Sequence, residues 1–310
     1  MRAELLDVVA VYANPIRWAS RRRLFDAFER HMLDSGVRLT TIECAYGERP
    51  YELGDDPRIN RVRVRAQTLL WNKENLINLA LARLPDDWRY AAWIDADVRF
   101  RKEEWATETV HALQQYDIVQ PWSDCYDLGP DDDHLAVHRS FCRLWHEGRP
   151  IVPRGGAGYA FAHPGYAWAA RRQALDFLGG LVETAALGAG DHHMALALVG
   201  RVRESVPAGI SPAYLAPLLV WQERAVHHIA RNIGYVPGTI EHAWHGPKAG
   251  RRYVERWAIL VRHGFDPTAD VKRNLHGVLE LAGNKPQLRL DIDRYFRGRD
   301  EDAATLGPAP

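Results

Sequence analysis

Residues 90–97 read YAAWIDAD, an apolar run that ends in two aspartates one residue apart, Asp95 and Asp97. The run is short and almost wholly apolar, which is typical of a strand buried on both faces of a sheet. Two carboxylates directly after such a strand can reach one divalent cation, Mg²⁺ or Mn²⁺. This context favours a metal site over a solvated turn, although aspartates at this spacing also occur by chance in loops.

The elements before residues 90–97 alternate between strands and helices. The pattern predicts strands over 7–12, 39–46 and 60–64, a helix between Ser20 and Gly36, and a helix over 72–84. This β-α-β-β-α-β order predicts an α/β fold of the Rossmann-like kind, with a mainly parallel central sheet flanked by helices. Ligands bind such sheets at the carboxyl ends of the strands, which is where Asp95 and Asp97 lie.

The later part of the chain is predicted to be less regular. Strands are expected over 117–121, 166–170 and 235–243, helices over 105–116, 172–177, 191–199 and 214–229, and a loop or lid over 123–153. Further helices are expected over 253–263, 271–281 and 288–297. We therefore predict a main domain over 1–250, a helical C-terminal extension over 251–297 and a disordered tail over 298–310.

Bulk composition excludes little but sets useful limits. Forty basic residues balance forty acidic ones, so the net charge predicts no strong affinity for polyanions, although a local basic patch could still meet nucleic acid. The three cysteines show no metal-knuckle spacing and are odd in number, which indicates a reducing cytoplasm. We expect no membrane span, because no apolar stretch approaches the length that one needs.

A second candidate segment is residues 241–248, EHAWHGPK, which places His242 and His245 three residues apart. Imidazole beside carboxylate suits Mn²⁺ better than Mg²⁺. We therefore predict that His245 contacts the metal or a phosphate, and the role of His242 stays open. Lys248 and Arg251 follow, and side chains of this kind hold phosphate oxygens.

A third candidate is Asp191, which follows Gly188-Ala189-Gly190 at the start of a predicted helix. It can serve as an N-cap, or as a general base that takes a proton from an attacking hydroxyl. One carboxylate can do both, and the glycines before it would let a substrate approach the backbone.

Two further segments are expected at the same edge of the sheet. Pro15-Ile16-Arg17 follows the first strand, and Trp71-Asn72-Lys73 precedes the second helix. The two cations can contact a phosphate or a base edge, and a tryptophan ring can stack on a base.

These segments together resemble the β-1,4-galactosyltransferase-like enzymes of the GT-A fold. Residues 71–78, WNKENLIN, precede Asp95-Ala96-Asp97 by about fifteen residues and resemble the family's Phe-Asn-Arg-Ala-Lys-Leu-Leu-Asn before Asp-Val-Asp. Residues 15–17 are similar to its Pro-Phe-Arg, and residues 188–193 resemble its Gly-Gly-Glu-Asp-Asp. The likeness covers roughly residues 8–250 in patches, and bacterial and phage family-2-type transferases share it in outline.

The resemblance implies a metal-dependent, inverting glycosyltransferase. Such an enzyme moves a sugar from a nucleoside-diphosphate sugar, such as a UDP-sugar, to an acceptor hydroxyl, with Mn²⁺ or Mg²⁺ as cofactor. Asp97 and His245 would bind the metal, and Asp95 would lie at the metal site near the ribose or a metal-bound water. The base would align with residue 191 or His192, and Asp191 is the carboxylate of the two.

The resemblance also implies nucleotide contacts from Pro15, Arg17, Trp71 and Lys73. The nucleotide-sugar half would be about 1–122, and the acceptor half about 123–250. Candidates on the acceptor side are Gly155, Gly156, His192 and Trp122. A lipid, a glycan, a protein and a hydroxymethylated DNA base are all open as acceptors. The family's galactose donor is not assumed, because its disulfides and membrane anchor are missing here.

Two other classes of protein compete with this interpretation. A nucleotidyltransferase would use the same sheet and metal, but such enzymes usually carry a glycine-rich loop where this chain has Asn14-Pro15-Ile16-Arg17. A non-catalytic carbohydrate- or nucleic-acid-binding protein would fit the eleven tryptophans and twelve tyrosines. Such a protein would not need paired aspartates, a carboxylate after a glycine turn and a late histidine together.

Overall fold

The computed structural model describes residues 5–152 and 162–304, so Gly155 and Gly156 lie outside the described residues. The strands are β1 (Asp7–Ala13), β2 (Arg38–Tyr46), β3 (Ile59–Ala66), β4 (Tyr90–Ile94), β5 (Val98–Phe100), β6 (Ile118–Gln120), β7 (Asp124–Leu128), β8 (His134–Arg139), β9 (Ala167–Arg171), β10 (Ile233–Tyr235), β11 (Thr239–His242), β12 (Val271–Arg273) and β13 (Leu279–Leu281). The helices are α1 (Ala19–Asp34), α2 (Lys73–Leu81), α3 (Trp105–Leu113), α4 (Phe141–His146), α5 (Arg172–Leu178), α6 (Gly190–Leu198), α7 (Pro212–Arg224), α8 (Glu255–Arg262) and α9 (Pro286–Arg297).

The central sheet has the strand order β10-β6-β9-β4-β1-β2-β3. Strand β1 pairs in parallel with β2 and β4, β2 with β3, and β10 with β6, while β9 runs antiparallel to both of its neighbours. The predicted α/β architecture with a mainly parallel sheet is therefore confirmed. Because β1 and β4 are parallel neighbours, the segments that follow Ala13 and Ile94 emerge at one edge.

Helices cover both faces of this sheet, as the alternation of side chains along β1 requires. Val9 packs in a core with α2, α5, α6 and α7, whereas Val8 and Ala10 pack in a second core with α1 and α3. All three are buried. Strands that are buried on both faces read as continuous apolar runs, which explains why β1 and β4 were recognisable from sequence.

A smaller sheet, β5-β11-β7-β8, lies beyond Asp97 and corrects two predictions. The prediction of a loop or lid over 123–153 is wrong for residues 123–152, which contain β7, β8 and α4. Residues 235–243 are not one strand, because β10 and β11 belong to different sheets and the chain passes Pro237 and Gly238 between them. In this sheet His242 is the parallel partner of Asp127 and the antiparallel partner of Val98.

The C-terminal extension is only partly helical. Helices α8 and α9 match the prediction, but residues 271–281 form the hairpin β12–β13 instead of a helix. The turn of this hairpin contains Gly277 at φ +81°, a conformation that favours glycine. Residues 298–304 are described and Glu301 is 1% exposed, so the prediction of a disordered tail was wrong for them. Residues 305–310 lie outside the described part.

Two further features of the chain are its cysteines and its lack of a long apolar helix among the described residues. Cys44, Cys125 and Cys142 are all buried and unpaired. Across the described residues, no helix combines the length and the apolar character that a membrane crossing requires.

Candidate active site

The end of β4 carries a cluster of three side chains that can bind a metal. The chain turns after Ile94, with the amide of Val98 donating to the Asp95 carbonyl at 3.2 Å. Asp97 Oδ2 then lies 2.9 Å from His245 Nε2 and 3.6 Å from His242 Nε2. The three potential ligand atoms all lie within 4.8 Å of one another. We call Asp97, His242 and His245 the metal triad.

A hydrogen bond to Asp127, outside the metal triad, fixes the orientation of the His242 ring. Its Nδ1 lies 2.7 Å from Asp127 Oδ1 in a buried hydrogen bond, in which the ring nitrogen donates to the carboxylate. Its Nε2 then faces Asp97. Burial lowers the pKa of His242, but the carboxylates of Asp97 and Asp127 outweigh it and raise this pKa overall. A carboxylate that orients a histidine in this way is typical of metal-ligating histidines. Strand register explains the contact, because β11 places His242 directly beside Asp127 of β7.

The metal triad passes a simple test of fit for a divalent cation. Arg251 Nη2 donates to His245 Nε2 at 2.7 Å, and His242 Nε2 lies only 3.3 Å from the same atom. Burial and the Arg251 charge lower the pKa of His245 to about 4, so its imidazole is neutral. Asp97 Oδ1 is buried and makes no hydrogen bond within the described part of the chain. A buried carboxylate oxygen of Asp97 is thus left without a donor among the described residues, and one carboxylate with two imidazoles suits a transition metal such as Mn²⁺ better than Mg²⁺.

The electrostatics of Asp97 agree with this arrangement. Burial would raise the pKa of this carboxyl, but His242 and His245 hold it well below its usual range. Asp97 is therefore ionised, which is the form that binds a cation.

Asp95 is not one of the metal triad, and its place near the ribose or a metal-bound water stays a prediction. Its Oδ1 forms an ion pair with Lys73 Nζ at a distance of 2.5 Å. Burial lowers the pKa of Lys73, but the carboxylates of Asp95, Asp191 and Glu74 outweigh it and raise this pKa overall. Lys73 is the first residue of α2, so the predicted helix start does bring its side chain to the end of β4.

Asp191 lies in the first turn of α6 and lines the same cleft as the metal triad. Its Oδ1 accepts the backbone amide of His192 at 2.8 Å. A Cβ atom on Gly165 would lie 2.8 Å from Asp191 Oδ2, so the second oxygen packs against a residue without a side chain. Ala189, just before the helix, has φ +81°, a strained value for alanine that occurs most often at functional sites.

Glu74 is a buried acid beside Asp191 that the sequence analysis did not identify. Its side chain lies so close to Gly190 that a Cβ atom there would collide with it. Burial raises the pKa of Glu74 to about 8, with Lys73 opposing the shift and Asp191 adding to it. Glu74 is therefore protonated at neutral pH. The sequence did not single out Glu74, because an acid in the first turn of a helix usually stabilises the helix through its dipole.

The cleft that holds these groups has a volume of about 570 Å³, within the usual range for small-molecule sites. It opens at the carboxyl ends of β1 and β4, as predicted for this fold. Besides the carboxylates, the described residues that line it include the lysines and arginines Arg21, Lys73, Lys248, Arg251, Arg256 and Arg299. A cleft with this mixture suits an anionic ligand that is bound together with a metal.

Of the other residues predicted to contact the nucleotide, two line the cleft and one does not. Pro15 and Trp71 line the cleft. The Trp71 ring is covered, however, by the guanidinium of Arg299 at 4.7 Å and by the Phe296 ring at 6.4 Å. Arg17 is not among the described residues that line the cleft, and its half-exposed side chain pairs with Glu52 at 3.5 Å.

Lys248 and Arg251 both line the cleft as predicted. Each already has a protein partner. Lys248 forms an ion pair with Asp127, and Arg251 donates to the Tyr253 hydroxyl at 3.0 Å as well as to His245. Phosphate contacts from these residues would therefore be added to existing bonds.

The acceptor-side candidates are the least supported by the geometry. Trp122 is fully buried, and its indole nitrogen donates to the Ala167 carbonyl at 3.3 Å, so the prediction that it contacts an acceptor is wrong for this conformation. His192 is partly exposed but is not among the described residues that line the cleft. Burial lowers the pKa of His192.

Comparison with known proteins gives structural likenesses only. No protein-family model matches the sequence, and no curated protein matches it either. A variant of Drosophila β1,4-galactosyltransferase 7 with manganese, UDP-Gal and xylobiose is similar over 92% of this chain and 97% of that one, at 11% identity and a TM-score of 0.37. S. aureus TarS 1–349 with UDP-GlcNAc is similar over 95% and 79%, at 9% identity and a TM-score of 0.39.

Other matches are less complete or come from another class of enzyme. In further structures of the Drosophila enzyme and of TarS, the chain spans only 62% and 54% of the matched protein. The 4-diphosphocytidyl-2C-methyl-D-erythritol synthase of Anaerococcus prevotii is similar over 76% of this chain and 90% of its own, at 9% identity and a TM-score of 0.34. With identities of 9–14% and TM-scores of 0.34–0.39, none of these likenesses assigns a function to this chain.

Proposed function

We propose that this protein is a metal-dependent glycosyltransferase that transfers a sugar, with inversion, from a nucleoside-diphosphate sugar to an acceptor hydroxyl. One observation carries the proposal. The metal triad of Asp97, His242 and His245 shares a cleft with the carboxylate of Asp191 and with several basic side chains. A cation site for a diphosphate and a separate carboxylate for a proton are the two functions that this reaction requires.

The roles of the residues follow from their positions. The metal triad would hold a divalent cation, which when bound neutralises the charge that develops on the leaving diphosphate. Lys248 and Arg251 border the triad and would contribute further positive charge to the phosphate oxygens. Lys73 keeps Asp95 neutralised, so that a second carboxylate beside Asp97 does not repel the anionic donor.

Asp191 is assigned as the general base. As the acceptor oxygen forms its bond to the anomeric carbon, Asp191 takes the proton of that hydroxyl and the bond from carbon to the diphosphate oxygen breaks. A single displacement with one base gives inversion at the sugar carbon. The donor is proposed to be a UDP-sugar, and the acceptor hydroxyl to belong to a glycan or to a hydroxymethylated DNA base.

Metal-dependent turnover of UDP-sugars tests the proposal. We expect the wild-type protein to hydrolyse or transfer from at least one UDP-sugar in the presence of Mn²⁺, and Asp97→Asn to lose both this activity and the thermal stabilisation by Mn²⁺. Asp191→Asn should abolish transfer but keep Mn²⁺ and UDP binding. Full activity in Asp191→Asn would refute the assignment of the base.

The same assay separates the two competing classes. Release of pyrophosphate from a nucleoside triphosphate, with no turnover of UDP-sugars, would identify a nucleotidyltransferase. Sugar or DNA binding without any turnover would identify a binding protein. For the DNA acceptor, a mobility shift that weakens with salt would support binding, and no shift at low salt would exclude it.

A further inference from the structure

Residues 299–304, here called the 299–304 segment, lie directly against the loop that follows the metal triad. Two glycines make this approach possible. A Cβ atom on Gly246 would collide with the carbonyl of Asp300 and lie 2.9 Å from Glu301 Cα, and one on Gly250 would collide with the carbonyl of Arg299. Gly246 also has φ +84°, so both the lack of space and the backbone conformation favour glycine at this position. The segment is therefore packed in place.

Glu301 of this segment joins two arginines that line the cleft. Its carboxylate accepts from Arg21 Nε at 2.5 Å and Arg21 Nη2 at 2.8 Å, and from Arg299 Nε at 2.6 Å. Glu301 is 1% exposed, so these are buried, charge-assisted bonds rather than a surface ion pair. Two guanidinium groups share one carboxylate, which leaves one positive charge in excess.

This cluster of two arginines and one carboxylate lies next to the metal triad. Glu301 Oε2 is 3.9 Å from His245 Nδ1, on the side of the ring that faces away from Asp97. Arg299 stacks over Trp71 at 4.7 Å and donates from Nη1 to the Tyr295 hydroxyl at 3.2 Å. The Ala13 carbonyl at the end of β1 accepts from Arg21. Both guanidinium groups are thus held at the metal end of the cleft.

We propose that Glu301 is a positioning residue that fixes Arg21 and Arg299 to receive the diphosphate of the donor, so that Arg299 and Glu301 form part of one wall of the donor site. This inference rests on the proposed function. Arginine presents five N–H donors in a rigid plane. Within the described residues, Glu301 and Ala13 use three of those of Arg21, and Glu301 and Tyr295 use two of those of Arg299. The remaining donors are available to phosphate oxygens.

The neighbouring Asp302 supplies a matched control. Its two carboxylate oxygens accept the amides of Ala19 and Ser20 at 2.9 and 2.8 Å, at the start of α1. Asp302 belongs to the same segment and anchors it to the same helix as Glu301 does. It is not among the described residues that line the cleft. Asp302→Asn therefore perturbs the anchoring of the segment without touching the arginine pair.

The test measures UDP and Mn²⁺ binding to the full chain by calorimetry, together with donor kinetics. We expect Glu301→Gln to weaken UDP binding by about tenfold, equivalent to about 1.4 kcal/mol, and to raise the KM for the donor by a similar factor. Mn²⁺ affinity and kcat should change far less. Asp302→Asn should bind UDP as the wild type does. A double variant with Arg299→Gln should lose less than the sum of the single losses, because Glu301 acts through the arginines.

Each outcome decides between separate claims. UDP binding by Glu301→Gln that equals the wild type would overturn the positioning role. An equal loss in Asp302→Asn would overturn it as well, because the effect would then come from the segment's anchoring. If Glu301→Gln does not fold, Arg299→Gln alone still decides, since undiminished UDP binding would exclude a donor wall here. Failure of the proposed function is separate, and would show as Mn²⁺-independent UDP binding in the wild type.

Discussion

Replacing Asp127 with asparagine should weaken metal binding, although Asp127 is not part of the metal triad. The carboxylate accepts the hydrogen bond of His242 Nδ1 at 2.7 Å and is 3% exposed. Loss of such an orienting carboxylate typically costs 10- to 100-fold in metal affinity. Asparagine keeps an acceptor oxygen but removes the charge, so we expect the lower end, about tenfold or about 1.4 kcal/mol. Asp97→Asn, which removes an anionic ligand, should lose considerably more.

Titration with Mn²⁺ by calorimetry, at constant pH and salt, measures this effect. Asp124→Asn is the matched control, because Asp124 starts the same strand but pairs with Arg143 at 2.5 Å, away from the metal triad. The control should bind Mn²⁺ as the wild type does, and circular dichroism should show that both variants fold. A folded Asp127→Asn with undiminished Mn²⁺ affinity would refute the role of Asp127 in orienting His242.

Two further predictions concern stability. Burial raises the pKa of Glu74 to about 8 in the folded protein, from an ordinary value of 4.5. The protonated side chain therefore stabilises the folded state fully below about pH 4.5, and this stabilisation is lost as the pH rises towards about 8. Glu74→Gln should remove this loss, and urea unfolding between pH 5 and 8 should then vary less with pH than in the wild type; unchanged variation would contradict the buried proton. Gly246→Ala should lower the free energy of unfolding by about 1–3 kcal/mol and weaken UDP binding, because the methyl group meets the Asp300 carbonyl and the backbone has φ +84°. Gly264→Ala, at φ +50° with nothing within 4 Å, isolates the backbone strain, and an equal effect on UDP binding there would exclude the collision as the cause.

Sequence alone located the end of the cleft at β4 because the information there is local. An apolar run that ends in Asp95 and Asp97 indicates a buried strand and its carboxyl end, and parallel β1 and β4 must then present their following segments together. The same logic placed Lys73 at the start of a helix beside that edge. The late histidine, His245, could be chosen because it follows a strand on a glycine-proline segment.

The features that could not be predicted from the sequence depend on contacts between residues that are distant in the chain. Asp127 and His242 meet only because two short strands, 115 residues apart in the chain, pair in the smaller sheet, and such short strands carry little pattern of their own. Residues 298–304 are polar and charged, which by composition indicates disorder. Burial of Glu301 between two arginines orders the segment, and composition cannot reveal such a partner.

The prediction of a helix over 271–281 failed for a local reason. Apolar residues at helical spacing are ambiguous in short stretches. The stretch contains Asn274 and Gly277, and the Asn274 side chain accepts the amides of His276 and Val278, which closes a tight turn. Asparagine followed by glycine within four residues was the turn signal that should have outweighed the spacing.

The bond between Arg21 and Glu301 has a consequence for protein synthesis. Its two partners lie 280 residues apart in the chain. A ribosome therefore makes β1, α1 and the whole central sheet well before the residue that fixes Arg21 has been translated. A nascent chain can therefore bury the two cores of its sheet while Arg21 still lacks its carboxylate partner.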